Sequence, residues 1–400
     1  MIKILQVHPS ALWLLVWMCW VPQYAVANES PEPLVIGYLE LASDPRYKEQ
    51  QTLARLQGQP WGRPYEAAEL GLREARFAAA AAGVKFELHR HSGKDNSDLL
   101  AALNKLIGQG AKLILIDAPG DAVKALAEKV KDQDILLFNL TAPDSSLRRS
   151  DCQFNLLHII PSQVMLSDAL AQYLISKKWR KVLVLEGPEP RDAEVHKTFQ
   201  RSAKRFGLKI VATKSFQLGR DPRQRHKNNV ALLTSGEDYD VVFVADAQGE
   251  FAREVPYQIQ QPRPVVGSAG LVSDGWIWSW ERHGAPQLNK RFLRKAERPM
   301  TAYDWSAWMA IKAIAEAVQR TKDNKIATLR DYLLGSDIVL DGFKGYPLSF
   351  RPWNNQLRQP IFLTTTNWVV ARAPLEGFLH NKNDLDTLGL DQREIECDID

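Results

Sequence analysis

Along most of the chain, short apolar runs alternate with amphipathic stretches at helical spacing. "LVIGYLEL" at 34–41 reads as a compact strand, and "YEAAELGLREARFAAAAAG" at 65–83 as an alanine-rich helix that Gly83 stops. "VKFELHRH" at 84–91 alternates like a strand, and "SDLLAALNKLIGQG" at 97–110 reads as a helix with Ser97 as N-cap. Strand, helix and strand follow at 111–118, 121–133 and 134–140. After a break near 141–160 the cycle restarts: a helix at 161–179, a strand at 180–187, a helix at 192–207 and a strand at 208–216. A helix around 224–235 and strands at 238–246 and 263–270 complete this second run. Such alternation specifies parallel sheets covered on both faces, so the expected fold is α/β with two doubly wound, Rossmann-like lobes.

The remainder does not extend the second run. A long helix spans about 301–320 and a shorter one 325–334. Strands follow within "LDGFKGYPLSFRPWNNQLRQPIFL" (340–363) and "WVVARA" (368–373), and the tail lacks hydrophobic periodicity. The expected division is lobe 1 at 28–148 plus 272–335, lobe 2 at 149–271 plus 336–378, and a tail at 379–400. A chain that builds one lobe, then another, then returns crosses a hinge several times and holds its ligand between lobes. In the long helix Thr301, Lys312, Glu316 and Gln319 form a polar arc, with Tyr303, Ala307, Ile311, Ile314 and Val318 opposite. Trp305 falls inside the polar arc; its indole either packs under another segment or faces the cleft as a stacking platform. Trp276, Trp278 and Trp280 alternate as on one strand face, suited to hinge or lobe-interface packing. In 348–351, alternation sets Ser349 and Arg351 opposite Leu348 and Phe350, with one or two arginines expected at a cleft or docking rim.

Composition adds a compartment. "ALWLLVWMCWV" at 11–21 has the length of a signal-peptide core, is short for a bilayer span, and is followed by "AVA" at 25–27. Residues 1–27 are therefore expected to be removed on export, the mature chain starting near Asn28. A membrane anchor is the alternative, against which no stop-transfer pattern follows. Cys19 lacks the small neighbours of a lipidation site. Losing Lys3 takes the formal charge from +4 to +3, a near-balance that argues against nucleic acid and against strong membrane attraction. Cys152 and Cys397 remain. They either pair, stabilising by about 5 kcal/mol in the chain-entropy model, or are unrelated thiols; neither lies in a CxxC.

Catalytic motifs are missing: no Walker loop, GxGxxG, HExxH or GxSxG. His89 and His91 share one strand face, either a metal pair or a solvated edge. What stands out lies just after the strands: Glu40–Asp44, Asp117–Gly120 and Asn139–Asp144 in lobe one; Glu186–Glu194, Ala245–Phe251 with Asp246, and Gly267–Gly270 in lobe two. Gly, Pro and Ser/Thr there let backbone amides face a cleft and hold carboxylates, with Arg191 and Asp192 placed to fix a charged ligand group; the alternative is ordinary βα turns with N-caps.

An exported leader, two sequential α/β lobes and a late return through a "YD" helix resemble the type I periplasmic binding proteins of ABC importers, the branched-chain amino-acid class. The stretches "DCQFNLLH", "RPVVGSAGL", "DGFKGYPLSFRPWNNQLRQPI" and "LEGFLHNKNDLDTLGLD" are similar to the subgroup associated with pyrroloquinoline quinone (PQQ)-dependent alcohol oxidation. The resemblance implies a periplasmic, non-enzymatic, cofactor-independent protein that closes on a small molecule and docks on a permease with its ATPase. It carries lobe-one ligand contacts to Ala118, Pro119, Asn139 and Thr141. The class typically has a serine-rich turn where this chain has "DAPGD", which argues against an α-amino acid. The subgroup points to PQQ, a flat tricarboxylate, or to an alcohol-oxidation product. Trp305, Arg191, Arg351 and Arg358 are the residue types that PQQ needs. Competing readings are a sensory or carrier module serving a membrane kinase or quinoprotein dehydrogenase, and an enzyme using Asp192 or Glu186 as acid or base.

Overall fold

The computed structural model describes residues 32–47, 62–217 and 222–397. The expected signal peptide and most of the long polar loop after Pro45 lie outside them. Five parallel strands form the first sheet: β1 (Glu32–Leu41), β2 (Val84–Gly93), β3 (Leu113–Asp117), β4 (Leu136–Asn139) and β5 (Leu156–His158), ordered β2-β1-β3-β4-β5. Helices α1 (Tyr65–Ala81), α2 (Asn96–Gly108) and α3 (Gly120–Lys129) connect β1 through β4. β3 and β4, "LILID" and "LLFN", are buried throughout because helices cover both faces.

A second parallel sheet, ordered β7-β6-β8-β9, comprises β6 (Lys181–Glu186), β7 (Lys209–Ser215), β8 (Val241–Ala245) and β9 (Val265–Gly267). It carries α4 (Gln163–Ser176), α5 (Pro190–Phe206) and the single turns α6 (Val230–Leu233) and α7 (Val255–Gln258). β10 (Val272–Asp274) then opens a small antiparallel sheet. After α8 (Ala285–Ala296), α9 (Ala302–Thr321) and α10 (Ile326–Leu334), the hairpin β11 (Leu340–Asp341) and β12 (Pro347–Leu348) precedes its other strands, β13 (Ile361–Thr364) and β14 (Val369–Ala373). The fold is thus the expected pair of doubly wound α/β lobes with a late return. α9 lies along α1, where Gly71 permits the approach: a Cβ there would stand 3.0 Å from the Ile311 side chain and 3.2 Å from the Trp308 carbonyl.

Several local expectations are revised. β5 pairs with β4, so the first sheet continues into the apparent break and past residue 148; three residues are too short to show a period. Asp95, not Ser97, caps α2, accepting from the Ser97 and Asp98 amides. The helix expected around 224–235 divides into a 3-10 turn (Pro222–Lys227) and α6. Trp276, Trp278 and Trp280 lie beyond β10 and do not share a strand face: Trp276 and Trp280 are buried, Trp278 half-exposed. The tail, despite its lack of periodicity, buries Leu385, Leu388 and Leu390. Its Cys397 is bonded to Cys152, with Cα atoms 6.2 Å apart, inside the ordinary disulfide range.

The aromatic, arginine-rich stretch 340–363 is a rivet. Its turn exposes three successive carbonyls to side-chain donors from three separate parts of the chain: α9, the loop after β10, and β14. Trp305 Nε1 gives to Gly342 O (3.0 Å), Trp280 Nε1 to Phe343 O (3.0 Å) and an Arg372 guanidinium nitrogen to Lys344 O (2.6 Å). Lys344 itself is buried, its ammonium 3.7 Å from the centre of the Trp305 ring and bonded to Gln359 at 2.6 Å. Burial pushes that amine well below its usual range, with Asp274 acting in the opposite sense. Gln359 in turn donates to Ile159 O at 2.6 Å, joining this turn to the chain that leaves β5.

Candidate functional site

Parallel sheets place loops and free backbone groups at their carboxyl ends, and in the first lobe those ends are polar. Asp117 closes β3 with no side-chain exposure and collects four donors: Tyr47 OH (2.6 Å), Thr141 Oγ1 (3.1 Å), Arg63 Nη1 (3.1 Å) and Tyr38 OH (3.2 Å). Just after β1, Asp44 holds Arg46 Nε at 3.0 Å, and Arg46 reaches on to the Thr141 carbonyl at 2.9 Å. The Arg46 guanidinium also lies over the Tyr303 ring at the start of α9, 5.1 Å from its centre; that of Arg63 lies 4.2 Å from the Tyr47 ring. Glu40 receives Arg90 at 2.8 Å.

The cluster is layered. Asp44 and Asp117 are submerged, while Arg46 and Arg63 retain 13% and 16% side-chain exposure above them. Burial, then the Asp117 charge, pushes the Tyr38 and Tyr47 phenols well above their ordinary pKa of 10, so both remain donors. Burial opposes charge on Arg46, but Tyr303, Asp44, Tyr47 and Asp117 outweigh it and hold the guanidinium charged. The outward chemistry is therefore cationic and aromatic, backed by neutralising carboxylates. It can receive an anionic group on Arg46 and Arg63 and a flat body beside Tyr47 and Tyr303.

Of the stretches that the sequence singled out, Glu40–Asp44 and Asp117–Gly120 bring Glu40, Asp44 and Asp117 into this cluster, and of the individually named ligand candidates Thr141 lies inside it. Its hydroxyl is spent on Asp117. Ala118 is buried beside it, its carbonyl 3.4 Å from Thr141 Oγ1, and Pro119 is the extended residue before α3. Asn139 is fully buried and works internally: its oxygen takes the Thr141 and Ala142 amides, and its nitrogen gives to Ala142 O and His158 Nδ1.

In the second lobe, Asp192 completes the capping box of α5 from its third residue, accepting from the Glu189 N-cap amide at 3.1 Å and also from the Ala247 amide at 2.6 Å. Burial raises its pKa, yet both oxygens are committed to backbone. Asp246 organises its own loop through the Gly249, Phe251 and Ala252 amides. Arg191 is exposed on α5, and Glu194 on the same helix accepts from the Ser145 amide of the first lobe. Glu186 is paired with His196 at 2.8 Å. The roles expected for Trp305 and Arg351 in a cleft are corrected. Trp305 is buried under the Gly342–Lys344 turn, and Arg351 is buried against the tail, bonded to Asp386 at 2.9 Å and to Leu385 O and Leu388 O.

Sequence reasoning missed Arg46, Tyr47, Arg63 and Tyr303. The available signal was "DPRY" directly after the first strand, a polar turn at a strand end. His89 and His91 both lie beside Gln109 Oε1 at 3.2 and 3.1 Å, and no group of three or more metal-ligating side chains occurs among the described residues. No helix among them is long and apolar enough to cross a membrane.

Residues 57–253 match the family model described as periplasmic binding protein. No curated protein matches the sequence. Among solved structures, an ABC transporter substrate-binding protein from Sphaerobacter thermophilus superposes with TM-score 0.71 at 16% identity, covering 89% of this chain and 100% of its own. A branched-chain amino acid ABC transporter periplasmic ligand-binding protein from Burkholderia xenovorans gives 0.69 at 12% identity, covering 85% and 95%. A branched-chain amino acid transporter substrate-binding protein from Streptococcus pneumoniae, solved with isoleucine, gives 0.64 at 16%, covering 85% and 99%. Over residues 57–253 the sequence is thus similar to the periplasmic binding protein family, and the two-lobed fold of the described residues is that of these substrate-binding structures.

Proposed function

We propose that this protein is the periplasmic substrate-binding component of an ABC importer, taking a small anionic ligand with a flat or aromatic body at the carboxyl ends of the first sheet. The observation that carries this reading is the layered cluster: Arg46 and Arg63 outermost, Tyr47 and Tyr303 beside them, and Asp44 and Asp117 submerged beneath. Similarity in fold to importer components supports the transport role. The isoleucine of the Streptococcus pneumoniae protein is not carried over, because Ala118 and Pro119 offer no hydroxyl and that of Thr141 is already bonded to Asp117.

PQQ remains one candidate within the proposed ligand class, and small aromatic or aliphatic carboxylates are others. Trp305, Arg351 and Arg358 do not support it at this place, since each lies away from the strand-end cluster; Arg46, Arg63, Tyr47 and Tyr303 supply the same residue types. The test is tryptophan fluorescence and calorimetry of the mature protein titrated with PQQ, small carboxylates and leucine. Saturable binding of an anion, weakened by Arg46→Gln, is expected. Leucine binding with no response to any anion would overturn the ligand class while leaving the importer role standing.

A further inference from the structure

Away from the strand ends, a cavity of about 1040 Å³ lies between the 334–358 segment and the tail at 380–393. Its size matches the upper end of ordinary small-molecule sites, about 300–1,000 Å³. Leu348, Phe350 and Trp353 supply an apolar and aromatic wall, and Arg358 lies at its base with 12% side-chain exposure.

The charge there is not balanced. One carboxylate, Asp386, serves two guanidiniums, accepting from Arg351 Nε at 2.9 Å and Arg358 Nε at 2.8 Å. Behind them Asp168 is held by Arg201 and Arg205, and Arg201 also takes Glu394. Counted with Asp391 on the cavity wall, four arginines stand with four carboxylates, so the excess of positive charge lies at the lining itself, where Arg358, Lys382 and Arg393 stand against Asp386 and Asp391 and Asp386 is shared with Arg351. The other acid on the wall, Asp391, turns an oxygen to the Arg393 amide, and the rim adds Lys382 and Arg393 with His380 beside them. Both guanidiniums also lie near the Trp353 ring, 5.8 and 5.2 Å from its centre.

We propose that this cavity is a second ligand site, selective for a small organic carboxylate. The carboxylate meets Arg358 and the cationic rim, and an apolar or aromatic body lies against Trp353 and Phe350. An anion there supplies the missing negative charge, and it bridges the tail to the segment that the tail covers.

The test uses the mature protein with benzoate as probe and benzamide as its uncharged counterpart, read by saturation-transfer NMR and calorimetry. Arg46→Gln removes the strand-end contribution. Val339→Trp plugs the cavity from a residue that is 62% exposed, so folding is not at stake. The expected result is benzoate binding that survives Arg46→Gln, falls about tenfold with Arg358→Gln and is lost with Val339→Trp, with benzamide about tenfold weaker or worse. Benzoate binding unchanged by both cavity variants, equal binding of benzamide, or no saturable response at millimolar benzoate would each overturn the proposal.

Discussion

A buried histidine shows what one residue contributes here. His158 ends β5 with both ring nitrogens used: Nδ1 accepts from Asn139 at 3.0 Å, and the other donates to the Leu147 carbonyl. That arrangement requires the neutral ring. Burial, then the neighbouring Arg148, holds its pKa well below the usual 6.5. In the unfolded chain the same ring takes a proton below about 6.5, so the unfolded state binds more protons there than the native one. Stability from this group is complete above that pH and is lost as pH falls beneath it, at up to about 1.4 kcal/mol per pH unit. Thermal melts of the wild type from pH 7 to 5 should therefore fall more steeply than those of His158→Gln, whose amide can donate and accept without titrating. Parallel slopes would show that other groups govern the acid limb. Asp192 is a second case. With both oxygens on backbone amides, Asp192→Ala should cost about 1–2 kcal/mol in denaturant unfolding. An acid or base role would instead leave stability alone.

At the scale of elements, Trp305 separates packing from recognition. Replacing it with Phe removes the donor to Gly342 O inside a sealed turn, an expected loss of about 1–3 kcal/mol, and leaves ligand affinity unchanged. A fall in affinity at constant stability would return the indole to the ligand. The helical arc that singled out Trp305 was legible in sequence; its partner, the turn 342–344, lies 37 residues away in sequence, and no local pattern announces it. Arg351 was misread for the same reason. Strand alternation set it outward, but the tail that covers it has no hydrophobic period, and a 3-10 turn (Asp384–Thr387) with scattered leucines leaves none to see. The parallel strands and most of the longer helices, by contrast, were readable because each repeats its own period over several residues. β5, with three residues, could not. The strand-end cluster was half-legible: Asp117 and Thr141 fell in loops that topology favours, whereas Arg46 and Tyr47 sit in a polar stretch whose composition reads as loop and nothing more.

For the whole molecule, the decisive element is the tail. It is tied at several points: Asp386 to Arg351 and Arg358, Glu394 to Arg201, the Gly389 amide to Asp168 at 2.8 Å, and Cys397 to Cys152. The disulfide closes a loop of 245 residues, which the chain-entropy model values at up to about 5 kcal/mol, with typical bonds giving about 2–4. Its loss should therefore be felt but not fatal, since the ionic ties hold the tail without it. Thiol counting on the unfolded, unreduced protein lacking residues 1–27 should find no free thiol, and reductant should lower the melting temperature while unfolding stays cooperative. Two free thiols would dismiss the bond. Deleting 379–400 is the harsher change. It strips Arg351 of Asp386, leaving a buried guanidinium uncompensated at a typical cost of about 3–5 kcal/mol, and removes the Gly389 amide and Glu394 from the Asp168–Arg201 group. The truncated chain should lose its cooperative transition even under oxidising conditions, where the full-length Cys397→Ser variant keeps one. If both variants melted alike, the disulfide alone would account for the tail, and the arginine network would be surface decoration.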